Sequence, residues 1–91
     1  MDNDEMKELK MWPMFFDQLL AGGKPWEFRS RGAYYPGQWI RYIEWCPLRH
    51  ALTGRTQRVI VLQTVDDGEW CAFRQELLEK YLADHKEPSN G

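Results

Sequence analysis

The sequence predicts an α+β fold, a small and mostly antiparallel β-barrel capped by two short helices. The 91 residues suffice for one domain, and a composition of 43% hydrophobic and 14% aromatic residues is that of a globular protein. Residues 38–45 (QWIRYIEW) are apolar on both faces, which is typical of a strand in a closed or partly closed barrel. Apolar residues recur at helical spacing in two short segments, one near each end of the chain. An open α+β sheet is the alternative.

The first half of the chain predicts a strand, a helix and a second strand. Glu8 to Trp12 alternates as a strand does, and Pro13 suits the first position of the helix that follows. The Gly22–Gly23 pair ends that helix. Trp26 to Arg29 alternates again, so one face of this strand is charged. We expect the apolar stripe of the helix in the core; it comprises Trp12, Phe15, Phe16, Leu19 and Leu20.

The second half predicts three strands and a last helix, giving the order β-α-β-β-β-β-α. Asp66-Asp67-Gly68 is a turn signal between the last two strands. The predicted bounds are a loop at 30–37, a strand at 38–45, a loop at 46–54, strands at 55–65 and 69–73, and a helix at about 74–84. We expect one domain at 8–86, between a flexible segment at 1–7 and a loose tail at 87–91.

The sequence predicts neither a metal nor a cofactor. Cys46, Cys71, His50 and His85 lack the spacing of metal ligands, and two reduced thiols are typical of a cytoplasmic protein. The chain also has no apolar run of membrane-spanning length and no charged-then-apolar leader. We therefore expect a cytoplasmic protein without a membrane partner, either a monomer or a weak homodimer.

Charge is unevenly distributed along the chain. Residues 24–58 carry seven basic and two acidic side chains, although the whole chain has a net charge of −2. Six of the seven arginines lie in this segment, between positions 29 and 58, and five aromatic residues lie among them from Tyr34 to Trp45. Arginine favours planar contact with phosphate and stacks on bases, so this segregation indicates a nucleic-acid partner. Ordinary strand-surface arginines are the alternative.

Several motifs together resemble a known family. A strand with Leu9-Lys10 leads through Pro13 into a helix that ends in a Gly-x-Lys at Lys24, and a Glu-x-Arg strand follows at Glu27 and Arg29. This pattern resembles the opening of ASCH domains, and most closely a short ASCH-related family of phages and bacteria. The resemblance covers about residues 7–65 and includes Pro36-Gly37-Gln38, Glu44-Trp45 and Thr53-Gly54-Arg55. It implies a PUA-like barrel with a role connected to RNA or nucleotides.

The resemblance also implies a candidate catalytic residue. Some ASCH members are amidohydrolases on acetylated cytidine that use the Gly-x-Lys lysine with nearby Thr and Glu, and Lys24 matches that lysine. Here Pro25 and Glu27 stand where those enzymes have Thr, and Gln38 stands where the family has Asp. The helix at 74–84 takes the place of the usual last strand. These departures weigh more against catalysis than against the fold.

We therefore predict nucleic-acid binding, RNA in the first place. Glu27 and Arg29 are close enough to pair, either as an oriented pair in a cleft or as a surface ion pair. Lys24 follows a helix end, where a side chain is normally solvated. Tyr34 and Tyr35 would stack on bases or would plug the barrel mouth. The predicted binding residues are Lys24, Glu27, Arg29, Arg31, Tyr34, Tyr35 and Arg55. The alternatives are a small hydrolase acting on modified nucleosides or RNA, and a phage-type protein that binds a host protein.

Overall fold

The computed structural model describes residues 6–30 and 33–85. Five strands and two helices follow one another in the predicted order, and the α+β class is confirmed. The elements are β1 (Lys7–Met11), α1 (Pro13–Leu20), β2 (Trp26–Arg29), β3 (Trp39–Cys46), β4 (Ala51–Asp66), β5 (Cys71–Leu77) and α2 (Leu78–Asp84).

The strands form one curled sheet in the order β1-β3-β4-β5-β2. Only β1 and β3 run parallel, and the other three pairings are antiparallel. Strands β1 and β2 are the two edges of the sheet, and no ladder joins them within the described residues. The sheet is therefore a half-barrel rather than a closed barrel, because β2 has only four residues and pairs on one side alone.

The core lies on the concave face of the sheet, where α1 packs. Helix α1 contributes Phe16 and Leu19 to the core. Because the helix has only eight residues, little more than these two side chains can face the sheet. The expectation that the whole apolar stripe is buried is therefore wrong: Trp12 remains 50% exposed and Phe15 39%. The sheet contributes Met11, Ile40, Tyr42, Val59, Val61 and Phe73.

Strand β4 begins at Ala51, four residues earlier than predicted, so the predicted loop shrinks to the four residues 47–50. The ladder between β3 and β4 is irregular between Ile43 and Trp45 and then continues to the Cys46↔Ala51 pair. Gly54, at φ 99°, lies on β4 within this irregularity, where a left-handed backbone suits glycine. Gly54, which we predicted to lie in a loop, is thus part of a β-bulge within β4.

Strand β5 extends to Leu77, and the predicted helix at 74–84 is wrong over its first four residues. Residues 74–77 all pair with β4, for example Val59↔Leu77, and Arg74 also pairs with Trp26 of β2. This pairing overrides the helical propensity of residues 74–77. The strand starts at Cys71 rather than at residue 69, and the predicted segment 1–7 overlaps β1 at Lys7. The tail at 87–91 lies outside the described residues.

Candidate functional site

The charged face of β2 points into the protein. Glu27 is only 6% exposed, whereas its neighbour Phe28 is 63% exposed. The register fixes this orientation, because Glu27 pairs with the fully buried Phe73 and shares its face. Arg29 follows Glu27 on that face. The sequence shows that these two side chains lie together, but not that their face is the inner one.

Lys24, Glu27 and Arg29 form a compact charged cluster. The Nε of Arg29 donates to Oε2 of Glu27 at 2.7 Å, and Nζ of Lys24 lies 2.9 Å from Oε1 of Glu27. The Glu27 side chain is 8% exposed and that of Lys24 18%. The expected pairing of Glu27 with Arg29 is present. The pair is not the surface ion pair of the alternative interpretation, and Lys24 is less solvated than expected.

The backbone at Lys24 is held from the core. The hydroxyl of Tyr42 donates to Oε1 of Gln75 at 2.6 Å, and Nε2 of Gln75 donates to the Lys24 carbonyl at 3.0 Å. Tyr42 and Gln75 are both buried, and burial raises the pKa of the Tyr42 phenol above its ordinary range. This relay positions the lysine at the end of the α1–β2 connection.

A cavity of about 360 Å³ opens between the two sheet edges, next to this cluster. Three aromatic side chains line it, and all three are also exposed to solvent: Trp12, Phe15 and Phe28. The remaining lining residues are Lys10, Met11, Lys24, Glu27 and Arg29. The cavity therefore combines aromatic walls with two cations and a buried carboxylate.

Lys10 contributes to this cavity mainly through its backbone. Its carbonyl accepts a hydrogen bond from Nη2 of Arg29 at 3.2 Å, while its ammonium lies 4.4 Å from the centre of the Trp45 ring. Strand alternation places the Lys10 side chain on the convex face. The charge of the cavity thus comes from Lys24, Glu27 and Arg29.

Arg55 lies apart from the cavity. Its Nε and Nη2 donate to the two carboxylate oxygens of Glu44 at 2.8 and 2.7 Å, and Nη2 also reaches Asp17 at 2.8 Å. Thr53 donates to Glu44 as well. Glu44 is buried, and the Arg55 hydrogen bonds hold the pKa of its carboxyl below the ordinary value. Arg55 ties α1 to the bulge of the β3–β4 pair, so the structure assigns it to the scaffold and does not bring it to the predicted site.

The two tyrosines differ in their surroundings. The Tyr34 ring stacks on Phe73 with centroids 4.7 Å apart, and burial raises the pKa of its phenol. Tyr34 therefore packs against the core, as in the plug interpretation. Tyr35 is 50% exposed, and its backbone N–H donates to Oε1 of Gln38 at 3.2 Å. The predicted binding residue Arg31 lies outside the described residues.

Within the described residues, the basic segment 24–58 does not form a basic surface. Four of its described arginines pair with carboxylates, and three of the partners lie before residue 24 or after residue 58: Arg29 with Glu27, Arg41 with Glu8, Arg55 with Glu44 and Asp17, and Arg58 with Glu79. Folding thus brings together charges that are segregated along the chain.

The chain matches a known family of domains. Residues 6–76 match the family described as a domain of unknown function, DUF3850. The chain belongs to this family. The match includes every residue that lines the cavity of the DUF3850 domain. A search of the curated proteins finds no match.

Sequence reasoning missed the aromatic walls of the DUF3850 cavity. We predicted that Trp12 and Phe15 lie in the core, as part of the apolar stripe of the helix. We predicted that Phe28 lies on the face of its strand opposite Glu27 and Arg29, and we assigned it no function. The available signal is the width of the stripe, since Phe15 and Phe16 lie about 100° apart around the helix axis and only one of them can occupy the centre of the buried face. Phe16 takes the core position, and Phe15 is left for the cavity.

The described residues contain neither a metal-binding cluster nor a membrane-spanning helix. These residues include no group of three or more His, Cys, Asp or Glu side chains that could hold a metal ion. No helix among them is long and apolar enough to cross a membrane. Cys46 and Cys71 are not joined by a disulfide, and burial raises the pKa of the Cys71 thiol.

Proposed function

We propose that this DUF3850 domain binds single-stranded nucleic acid, RNA in the first place, and holds one unpaired nucleotide in the cavity between β1 and β2. The observation that carries the proposal is the composition of that cavity. Three exposed aromatic rings line the same cavity as a buried carboxylate that is flanked by Lys24 and Arg29. The resemblance to ASCH domains, with their PUA-like barrel, agrees with this function.

The aromatic walls suit a nucleobase. Stacking of one base on an aromatic side chain contributes about 1–3 kcal/mol and tolerates any base. A volume of about 360 Å³ falls at the small end of ligand cavities, so one nucleotide is a suitable occupant. Without a ligand, aromatic rings around a cavity expose apolar surface to water, which is unfavourable. A stacked ligand would cover that surface.

The charge of the cavity suits a phosphate rather than a cationic ligand. Lys24 and Arg29 outnumber the single carboxylate Glu27, so the cluster carries a net positive charge. Double-stranded DNA is a poorer candidate, because duplex binding depends on many phosphate contacts and the other ion-paired arginines offer no broad basic face.

Fluorescence anisotropy tests the proposal. Labelled single-stranded RNA, an RNA hairpin and duplex DNA are each titrated with the protein at two salt concentrations. We expect binding to single-stranded RNA that weakens as salt increases. Phe28→Ala should weaken it about fivefold or more, as expected for one lost stacking contact. Trp70→Ala, a similarly exposed aromatic outside the cavity, is the control and should leave affinity unchanged. Absence of binding to all three probes would contradict the proposal.

A second candidate function is hydrolysis of a modified nucleoside or RNA. The observation in its favour is the Lys24 ammonium, which lies in the cavity 2.9 Å from a buried carboxylate. RNA recovered after incubation is analysed for cleavage, and acetylated cytidine is analysed for release of acetate. Turnover by the wild-type protein that Lys24→Met abolishes would identify an enzyme. Binding to no nucleic acid, together with a stable complex with a host protein, would instead favour the interaction-protein alternative.

A further inference from the structure

One oxygen of the central carboxylate lacks a directed hydrogen bond. Oε1 of Glu27 is buried and, among the described residues, is the one buried side-chain polar atom without a hydrogen-bond donor. The Lys24 ammonium at 2.9 Å supplies charge but not hydrogen-bond geometry. An ionised carboxylate oxygen can accept two hydrogen bonds, and leaving it unsatisfied in the interior is unfavourable. Oε1 is thus an acceptor whose donor is missing.

The two cations that flank Glu27 are held differently. Arg29 donates to Oε2 of Glu27 and to the Lys10 carbonyl, so two acceptors fix its guanidinium. Nζ of Lys24 has its 2.9 Å contact with Oε1 of Glu27 and one long hydrogen bond, at 3.5 Å to the Trp26 carbonyl, and it lies 5.4 Å from the centre of the Phe15 ring. Because its hydrogen bonds are fewer and longer, the Lys24 ammonium is easier for a ligand to displace than the Arg29 guanidinium.

We infer that Glu27 reads the edge of the bound base: its Oε1 accepts an N–H of an unpaired nucleobase after the Lys24 ammonium moves from the carboxylate to the adjoining phosphate. The assignment rests on the proposed function and adds to it the group that is recognised. Stacking alone accepts any planar ring, whereas a buried carboxylate oxygen requires a donor. In a duplex the Watson–Crick N–H groups are already paired, so this assignment predicts a preference for a single strand.

Bases that have lost their N–H donors test the assignment. The probes are single-stranded octamers of uridine, cytidine and adenosine, each compared with its counterpart made of 3-methyluridine, N4,N4-dimethylcytidine or N6,N6-dimethyladenosine. Methylation removes the donor and keeps the ring and the phosphates. We expect the octamer that binds best to lose about tenfold or more in affinity on methylation, the effect of a hydrogen bond to a charged group.

Two variants separate recognition from electrostatics. Glu27→Gln keeps the shape of the side chain but makes the acceptor neutral, so the difference between methylated and unmodified probes should fall below about threefold. Lys24→Met removes the cation that covers Oε1. It should keep the difference and reduce the slope of log affinity against log salt by about one. Circular dichroism melting of each variant confirms that it is folded.

The outcomes distinguish this inference from the proposed function. Binding that is equal for methylated and unmodified probes, and that still weakens with salt, overturns the role of Glu27 and leaves nucleic-acid binding in place. Absence of binding to every octamer overturns both. The wild-type comparison decides these two outcomes without any variant, so failure of Glu27→Gln to fold would not prevent the test.

Discussion

Nη2 of Arg29 donates to the carbonyl of Lys10 at 3.2 Å, so one side chain of β2 reaches the backbone of β1 across the open side of the sheet. The same guanidinium holds Glu27 through Nε at 2.7 Å. The half-barrel is therefore joined at its gap by an arginine rather than by a strand ladder. Arg29 and Lys10 also line the cavity, so this contact lies in the same gap between the two edges.

Replacing Arg29 should destabilise the fold. Arg29→Ala leaves Oε2 of the buried Glu27 without its donor and removes the link to Lys10, at a cost of about 1–3 kcal/mol. For a domain of this size the melting temperature should fall by about 5–20 °C. Arg41→Ala, which breaks the exposed pair with Glu8, is the control and should cost less than about 1 kcal/mol. Thermal and urea unfolding followed by circular dichroism measure both. Equal, small effects would place Arg29 in a surface role.

The Glu44–Arg55 pair should contribute to acid unfolding. The hydrogen bonds of Arg55 lower the pKa of Glu44 in the folded protein below its ordinary value of 4.5. The unfolded chain therefore binds a proton at a higher pH than the folded protein does, and the free energy of unfolding falls as pH decreases below about 4.5. Glu44→Gln should show a shallower fall between pH 5 and pH 3 in urea titrations. Glu8→Gln, at an exposed pair, is the control, and identical slopes in the two variants would exclude Glu44 as a contributor.

Two adjacent phenylalanines of α1 should behave differently. Phe16 is 1% exposed in the core, so Phe16→Ala should cost about 3–5 kcal/mol of unfolding free energy. That loss is a large part of the stability of a domain of this size. Phe15 is 39% exposed at the cavity, and Phe15→Ala should cost about 1 kcal/mol or less while weakening RNA binding. Urea unfolding and anisotropy give the two readouts. A larger loss of stability for Phe15→Ala would reverse the assignment of the two rings.

Tyr42 should affect stability at alkaline pH. Burial raises the pKa of its phenol above the ordinary 10.0, so above pH 10 the unfolded chain loses a proton that the folded protein keeps. The free energy of unfolding should therefore fall as pH rises above 10. Tyr42→Phe should show a smaller fall, and at neutral pH it should lose about 1–3 kcal/mol because Oε1 of Gln75 loses its donor. An ultraviolet titration in which every tyrosine of the folded protein ionises with the ordinary pKa of about 10.0 would contradict this.

The order of the elements could be predicted from the sequence because each element has a local cause. Pro13 starts α1, and alternation marks β2 regardless of what the strand packs against. The ends of β4 and β5 were mispredicted because their causes are not local. A bulge opposite Glu44 keeps Gly54 inside a strand, and the ladder with β4 holds residues 74–77 extended.

The candidate site was predictable in part for the same reason. Lys24, Glu27 and Arg29 follow one another within six residues, so their proximity can be inferred from strand and loop geometry. The roles of Arg55 and Tyr34 could not be inferred in this way. Arg55 depends on its contact with Glu44, and Tyr34 depends on its contact with Phe73; in both pairs the partners belong to separate segments of the chain. The ion pairs that cancel the charge of the central segment also join residues distant in sequence.

The sequence by itself determined which residues alternate, where the first helix begins, and that Glu27 and Arg29 share a face. Only the tertiary structure decided that this face is the inner one, because the register of β2 on β5 places Glu27 beside Phe73. It also decided that Trp12, Phe15 and Phe28 line a cavity instead of the core. The physical reason is that alternation and helical periodicity show which residues share a face, but not which face is buried. Which face is buried depends on the strands and helices that pack against the element in the folded protein.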